Sequence, residues 1–179
     1  QAQTPTPPVA RKSGLEIESM HVTLGRTPPP VTEEGLAAYE SLVNHAAKQG
    51  VQIAIENVRS NEYLDTLFAH IDSKFLGLCY DISHDVLHSE TPGKLLQDHG
   101  KLLISTHFAD TDGILDRHWL PGHGTIDYGS TLRSFPETYE GALVLEVSSG
   151  KKDGNSLPEF IIDAHKALRD QIVAAVNRP

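Results

Sequence analysis

VQIAIEN, residues 51–57, reads as a β-rich run of buried character that breaks off in Glu56 and Asn57. Ile53 and Ile55 fall on one side of the alternation and Ala54 on the other, so neither face is polar before the tip, as in a strand covered on both sides. The residues before it form a helix: Thr32 is a cap, Leu36, Leu42, Val43 and Ala46 share one face, and Gly50 follows Gln49 as a stop. NEYLDTLFAHI, residues 61–71, is helical, and FLGLCYD (75–81) is a second short apolar run. TPGKLLQDHG (91–100) predicts a brief helix, LLISTHFAD (102–110) a strand and, after a long connection, ALVLEV (142–147) another. LEIESMHV (15–22) is the first strand candidate, joined onward by the stiff TPPP at 27–30, and Ser156 with Glu159 forms a capping box that opens the last helix. Short strands alternating with helices specify an α/β fold with a parallel sheet covered on both faces.

Composition limits what such a fold does. A chain of 179 residues that is 39% hydrophobic supports one core, placed at 15–179, with 1–14 an extended segment rich in proline. A net charge of −9 argues against a broad nucleic-acid footprint, which needs clustered Lys and Arg. Cys79 is the single cysteine, which excludes an intrachain disulfide and fits a reducing, cytoplasmic setting. No apolar run approaches the roughly 20 residues that span a bilayer, so no membrane partner is expected. The chain starts at Gln1 without an apolar signal core, the pattern of a processed or incomplete sequence.

The strand candidates share a property at their tips. IAIEN ends in Glu56, GLCYD in Asp81, ISTH in His107 and LVLE in Glu146, at intervals of 25, 26 and 39 residues. A parallel sheet gathers all C-terminal strand ends on one edge, so these four side chains meet in space. Period-2 alternation puts Ala54, Gly77, Cys79, Ser105, Ala142 and Val144 on their side, and Ile55, Leu78, Tyr80, Phe108, Leu143 and Leu145 on the other. A lone carboxylate at a strand end serves equally well as a helix cap or ion-pair partner. Three of them converging on a partly buried rim repel one another unless a cation lies between. Mixed carboxylate and imidazole donors suit Mn²⁺, Zn²⁺, Co²⁺ or Mg²⁺ without choosing among them. His84, three residues after Asp81, reads either as part of the same lip or as a loop histidine. Asp116 and His118 read as a second metal or substrate contact or as a solvated loop, His21 and His123 as substrate contacts, and Asn57 and Arg59 as residues that either position substrate or only shape the turn.

Taken together, GVQIAIEN, DISHDVLHS, STHFAD, LDRHWLPGHGTIDY and LVLEV resemble the xylose isomerase-like TIM-barrel superfamily, which includes sugar phosphate isomerases and epimerases, inosose dehydratases and the endonuclease IV group. The resemblance runs from about Leu15 to the C-terminus. It implies Glu56, Asp81, His107 and Glu146 as metal ligands, Glu56 and Glu146 as the proton-transferring pair, His84 nearby, and PGHGTIDY as a glycine-rich segment over the substrate, with His123 within it. A full (β/α)8 barrel takes about 250 residues; this chain supplies about five β/α units, with the first strands missing or shortened, so that either it belongs to a longer protein or other segments close the fold. The implied activity is metal-dependent isomerisation or epimerisation of a small sugar, sugar phosphate or keto-polyol through an enediolate. The Asp116–His118 pair also resembles the endonuclease group, where it helps bind additional zinc, so a multi-zinc phosphodiesterase is one alternative and a non-catalytic barrel remnant another. The expected partner is a small-molecule sugar, with a homo-oligomer left open.

Overall fold

The structure, a computed structural model, describes residues 16–23, 31–59, 61–149 and 156–177. The expected extended segment 1–14 and the TPPP connector lie outside these residues. Four parallel strands, β1 (Ser19–Thr23), β2 (Gln52–Glu56), β3 (Leu76–Asp81) and β4 (Leu103–His107), lie side by side in chain order. Between and after them run α1 (Glu33–Gln49), α2 (Asn61–His70), α3 (Ile82–His88), α4 (Lys94–His99), α5 (Tyr128–Arg133) and α6 (Leu157–Val176). This βαβα order with neighbouring strands in sequence is the start of a barrel wall, as the sequence led us to expect.

Local chemistry sets the boundaries. Thr32 Oγ1 accepts the Gly35 N–H at 3.1 Å at the head of α1, and Gly50 closes the helix in the left-handed region (φ 68°), where a β-carbon would be strained. Gly77 in β3 has a different reason: an added Cβ would run into the Ile104 side chain and the Leu102 carbonyl, so only glycine lets β4 approach. On the helix-facing side Ile53, Ile55, Leu78, Tyr80 and Phe108 pack with Val43, Leu64, Leu67 and Leu95 in one buried cluster. Ala54 and Cys79 are fully buried but outside that cluster, which matches the alternation expected from sequence.

Three elements differ from the sequence reading. ALVLEV forms only an isolated parallel bridge, Phe108 to Leu145, instead of a strand. The Thr106 hydroxyl explains it: Oγ1 accepts the Val144 N–H at 3.1 Å and donates to the Ala142 carbonyl at 3.2 Å, so a side chain replaces part of the backbone ladder. The Phe108 N–H still donates to Val144 O and the Glu146 N–H to Phe108 O, which holds Glu146 beside β4. Helices α3 and α5 were not anticipated. Both begin at an aspartate whose carboxylate accepts a backbone N–H three residues on, Asp81 from His84 and Asp127 from Ser130. Among the described residues no helix is long and apolar enough to cross a membrane.

Candidate metal centre

The register brings the strand tips together. Asp81 pairs with His107 across β3 and β4, and Glu56 lies opposite Cys79 across β2 and β3. One donor atom each from Glu56, Asp81, His107 and Glu146 lie within 4.8 Å of one another. Their common neighbour is His107 Nδ1, which is 2.8 Å from Glu146 Oε2, 3.3 Å from Glu56 Oε1 and 3.9 Å from Asp81 Oδ2. A single imidazole nitrogen has one in-plane hydrogen or lone pair and cannot serve three carboxylates. Accordingly Glu146 Oε2, despite its short approach, has no aligned hydrogen bond among the described residues, and neither has the buried His84 Nδ1.

Positive charge on imidazoles holds this arrangement together. Burial alone would raise the Glu56 carboxyl, but hydrogen bonds from His107 and His21 hold it at about 2. Burial likewise opposes charge on His107, yet contacts with Cys79, Glu146 and Glu56 push it up to about 12. Asp81, 1% exposed, is raised by burial to about 6. His84 is raised to about 9 against its own burial, by Asp116 first and then Asp81 and Glu56. A divalent ion does the same work better. Ligand oxygens and nitrogens at about 2.0–2.2 Å from one ion stand about 3–4 Å apart, close to the observed crowding, and the unaligned Glu146 Oε2 acquires a purpose. The residues therefore fit a divalent cation, with three hard oxygens and one nitrogen as donors.

The other candidates are placed as follows. His21 Nε2 is 2.7 Å from Glu56 Oε2, and its ring meets that of His107 edge-on at 4.7 Å. Asp116 Oδ2 sits between His118 Nε2 (2.9 Å) and His84 Nε2 (3.3 Å), while His118 Nδ1 is 2.8 Å from the Glu146 carbonyl and its backbone is left-handed (φ 50°). Asn57 is 3% exposed and its amide is fully engaged with the Asp81 backbone: it donates to Asp81 O at 2.9 Å and accepts from Asp81 N at 2.7 Å. It does not line the basin, and neither does the exposed His123. That basin, about 630 Å³, is lined by His21, Glu56, His84, Asp116, His118 and Glu146 together with Val58, Arg59, His88 and Leu115, among others. His88, which the sequence does not mark as a site residue, lines it because α3 carries positions 84 and 88 on one face, their rings 6.1 Å apart.

Sequence reasoning also passed over Asp110, which is fully buried. Its carboxylate accepts the N–H groups of Thr111, Gly122 and Ile126 at 2.8, 2.8 and 3.2 Å, and its backbone pairs with Trp119. It folds the 111–126 loop back over the strand tip and so presents Asp116 and His118. The clue was an aspartate one alternation beyond Phe108 in an otherwise apolar run.

A family model described as xylose isomerase-like TIM barrel matches residues 14–171. Among curated relatives, an uncharacterized protein of Sinorhizobium fredii is 37% identical over 109 residues, covering 56% of this chain and 34% of its own. Among solved structures, a D-tagatose 3-epimerase-like protein is 20% identical with a TM-score of 0.71, over 94% of this chain and 66% of that one. The IolI protein with a bound zinc atom is 19% identical with a TM-score of 0.76, over 96% and 68%. The chain spans half or less of the length of the curated relatives it matches.

Proposed function

Since this chain belongs to the xylose isomerase-like TIM barrel family, we propose that it forms part of a divalent-metal-dependent isomerase or epimerase acting on a small sugar, sugar phosphate or keto-polyol. The observation that carries this reading is the approach of Glu56 and Glu146, from separate segments, to the same nitrogen of His107. An ion held by Glu56, Asp81, His107 and Glu146 would supply Lewis acidity toward a carbonyl and its neighbouring hydroxyl. Glu56 and Glu146 then divide the proton work: one carboxylate takes the α-proton and the other returns a proton to the enediolate from its own side. His84, raised to about 9, carries a positive charge at neutral pH and can donate to a developing oxyanion. The likeness of the fold to a D-tagatose 3-epimerase-like protein and to the zinc-bound IolI protein supports the same chemistry.

The test is solvent deuterium uptake at the α-carbon of a panel of ketoses and keto-inositols with added Mn²⁺ or Zn²⁺. Exchange is expected with at least one of them and is lost in Glu146→Gln, which keeps size but removes the base. A panel without exchange at full metal loading overturns the proposal. One observation favours a second reading, a multi-metal phosphodiesterase: Asp116 lies between His84 and His118, in position to serve a second ion. Counting metals separates the two, because one ion per chain fits the isomerase and two or more fit the phosphodiesterase.

A further inference from the structure

Two guanidinium groups line the basin outside the metal centre, Arg59 and Arg117, and among the described residues only Arg59 is without a carboxylate partner. Each carboxylate lining it has an imidazole in contact: Glu56 with His21 at 2.7 Å, Asp116 with His118 at 2.9 Å, and Glu146 with His107 at 2.8 Å. Arg117 is held by Asp112, Nη2 to Oδ2 at 2.7 Å. Arg59 lines the same basin and, among the described residues, has no carboxylate or hydrogen-bond partner. It follows β2 by three residues, on a turn pinned by the two hydrogen bonds of Asn57 to the Asp81 backbone. The nearby His88 imidazole is pushed below its ordinary value by burial first, then by His84 and Arg59, so the guanidinium acts on this part of the wall. Val58 and Leu115 supply apolar lining suited to a carbon chain.

We infer that Arg59 is a specificity-determining residue that seats an anionic group, phosphomonoester or carboxylate, on the substrate of this site. A guanidinium stays charged at all working pH values and offers a planar fork of donors matched to such oxygens. In a chain of net charge −9, an anion gains nothing from the long-range field, so a local unpaired cation is the feature that would select it. This deepens the isomerase reading and rests on it, but its test needs no turnover. Calorimetric titration of the chain with D-glucitol, D-glucitol 6-phosphate and D-gluconate compares one carbon skeleton with and without each anion, before and after chelation of metal. At least one anionic form is expected to bind about tenfold tighter or more than D-glucitol, and which one does so identifies the group. Arg59→Ala should erase that gain with bound metal per chain unchanged, and Arg59→Lys should restore part of it. Equal affinity for all three, no binding of any, a gain that survives Arg59→Ala, or a gain that vanishes with the metal would each overturn the assignment. Failure of the isomerase reading would show separately, as absent deuterium exchange.

Discussion

Replacing Asn57 by alanine tests how the metal edge is held. The Asn57 amide is buried and spans from the end of β2 to the end of β3, with hydrogen bonds of 2.9 and 2.7 Å to the carbonyl and N–H of Asp81. Asp81 is itself 1% exposed, so neither backbone group can turn to bulk water when the amide is gone. Each buried group left unsatisfied costs about 1–3 kcal/mol, so the pair should lose about 2–6 kcal/mol. With a Tm change of about 2–4 °C per kcal/mol for a chain of this size, the midpoint falls by roughly 10 °C. Thermal and urea unfolding followed by circular dichroism would measure it. Asn57→Asp is the control for mechanism: it keeps the acceptor for the Asp81 N–H but sets a carboxylate oxygen against the Asp81 carbonyl. Its folded-state pKa is therefore raised, so the defect is largest at neutral pH and shrinks as pH falls and the new carboxyl takes a proton. An alanine variant within about 0.5 kcal/mol of the parent, or an aspartate variant that weakens further in acid, refutes the account of Asn57 as the clamp on Asp81.

The remaining expectations concern the ion, a buried carboxylate and the sheet. Divalent cation at about 100-fold over its dissociation constant should stabilise the chain by about 2.7 kcal/mol, read as a Tm increase that a chelator reverses and that His107→Ala removes; the same shift in that variant would place the ion elsewhere. Because His107 is pushed up to about 12 and is protonated at neutral pH, cation uptake must release a proton, so affinity rises about tenfold per pH unit for each proton displaced. Calorimetry in two buffers of different ionisation enthalpy counts it, and zero release would contradict the geometry. Asp85, 2% exposed, accepts from Tyr80 Oη at 2.7 Å and Gly93 N at 2.6 Å, and burial raises its pKa. A raised folded-state pKa stabilises below the ordinary carboxylate value near 3.9 and loses that contribution as pH rises. Asp85→Asn should consequently gain Tm relative to the parent between pH 4 and pH 8, and a constant difference would show that Asp85 does not titrate abnormally. Gly77→Ala should cost about 1–3 kcal/mol, measured by urea midpoint, because its Cβ has no room beside Ile104; an unchanged midpoint would mean β3 and β4 part easily there.

Much of the fold was legible because it rests on periodicity and punctuation. The alternation of Ile53, Ala54 and Ile55 before Glu56, and the Thr32 and Gly50 signals around α1, are local patterns that the structure reproduces. What escaped depends on a side chain standing in for backbone. Thr106 takes two backbone partners of the ALVLEV segment and so removes a strand that composition alone predicts. Asp81 and Asp127 cap helices that the sequence reading did not place, and Asp110 organises a loop from its interior. Asn57 is the instructive case among the site residues: next to a metal-ligand candidate it read equally as a substrate contact or as a residue shaping the turn, while its amide in fact reaches backbone 24 residues away. Partnerships of that range carry no periodic signal.

Asp81 links the fold to the proposed chemistry more tightly than any other residue. One carboxylate oxygen caps α3 through the His84 N–H at 2.8 Å, the other faces His107 Nδ1 at 3.9 Å, and its backbone is clamped by Asn57. Burial would favour a protonated Asp81, up to about 6, but a protonated carboxyl is a poor ligand and a poor cap. The cap alone cannot offset the crowding of Glu56 and Glu146, since both carry negative charge into the same rim. A divalent ion bound there, as proposed, would remove the conflict: it would favour the ionised form of Asp81, and that form also satisfies the helix. On the proposed reading, ion binding and the order of α3 would be coupled, and because α3 carries His84 and His88 to the basin wall, loading the metal would also set the surface that meets the substrate.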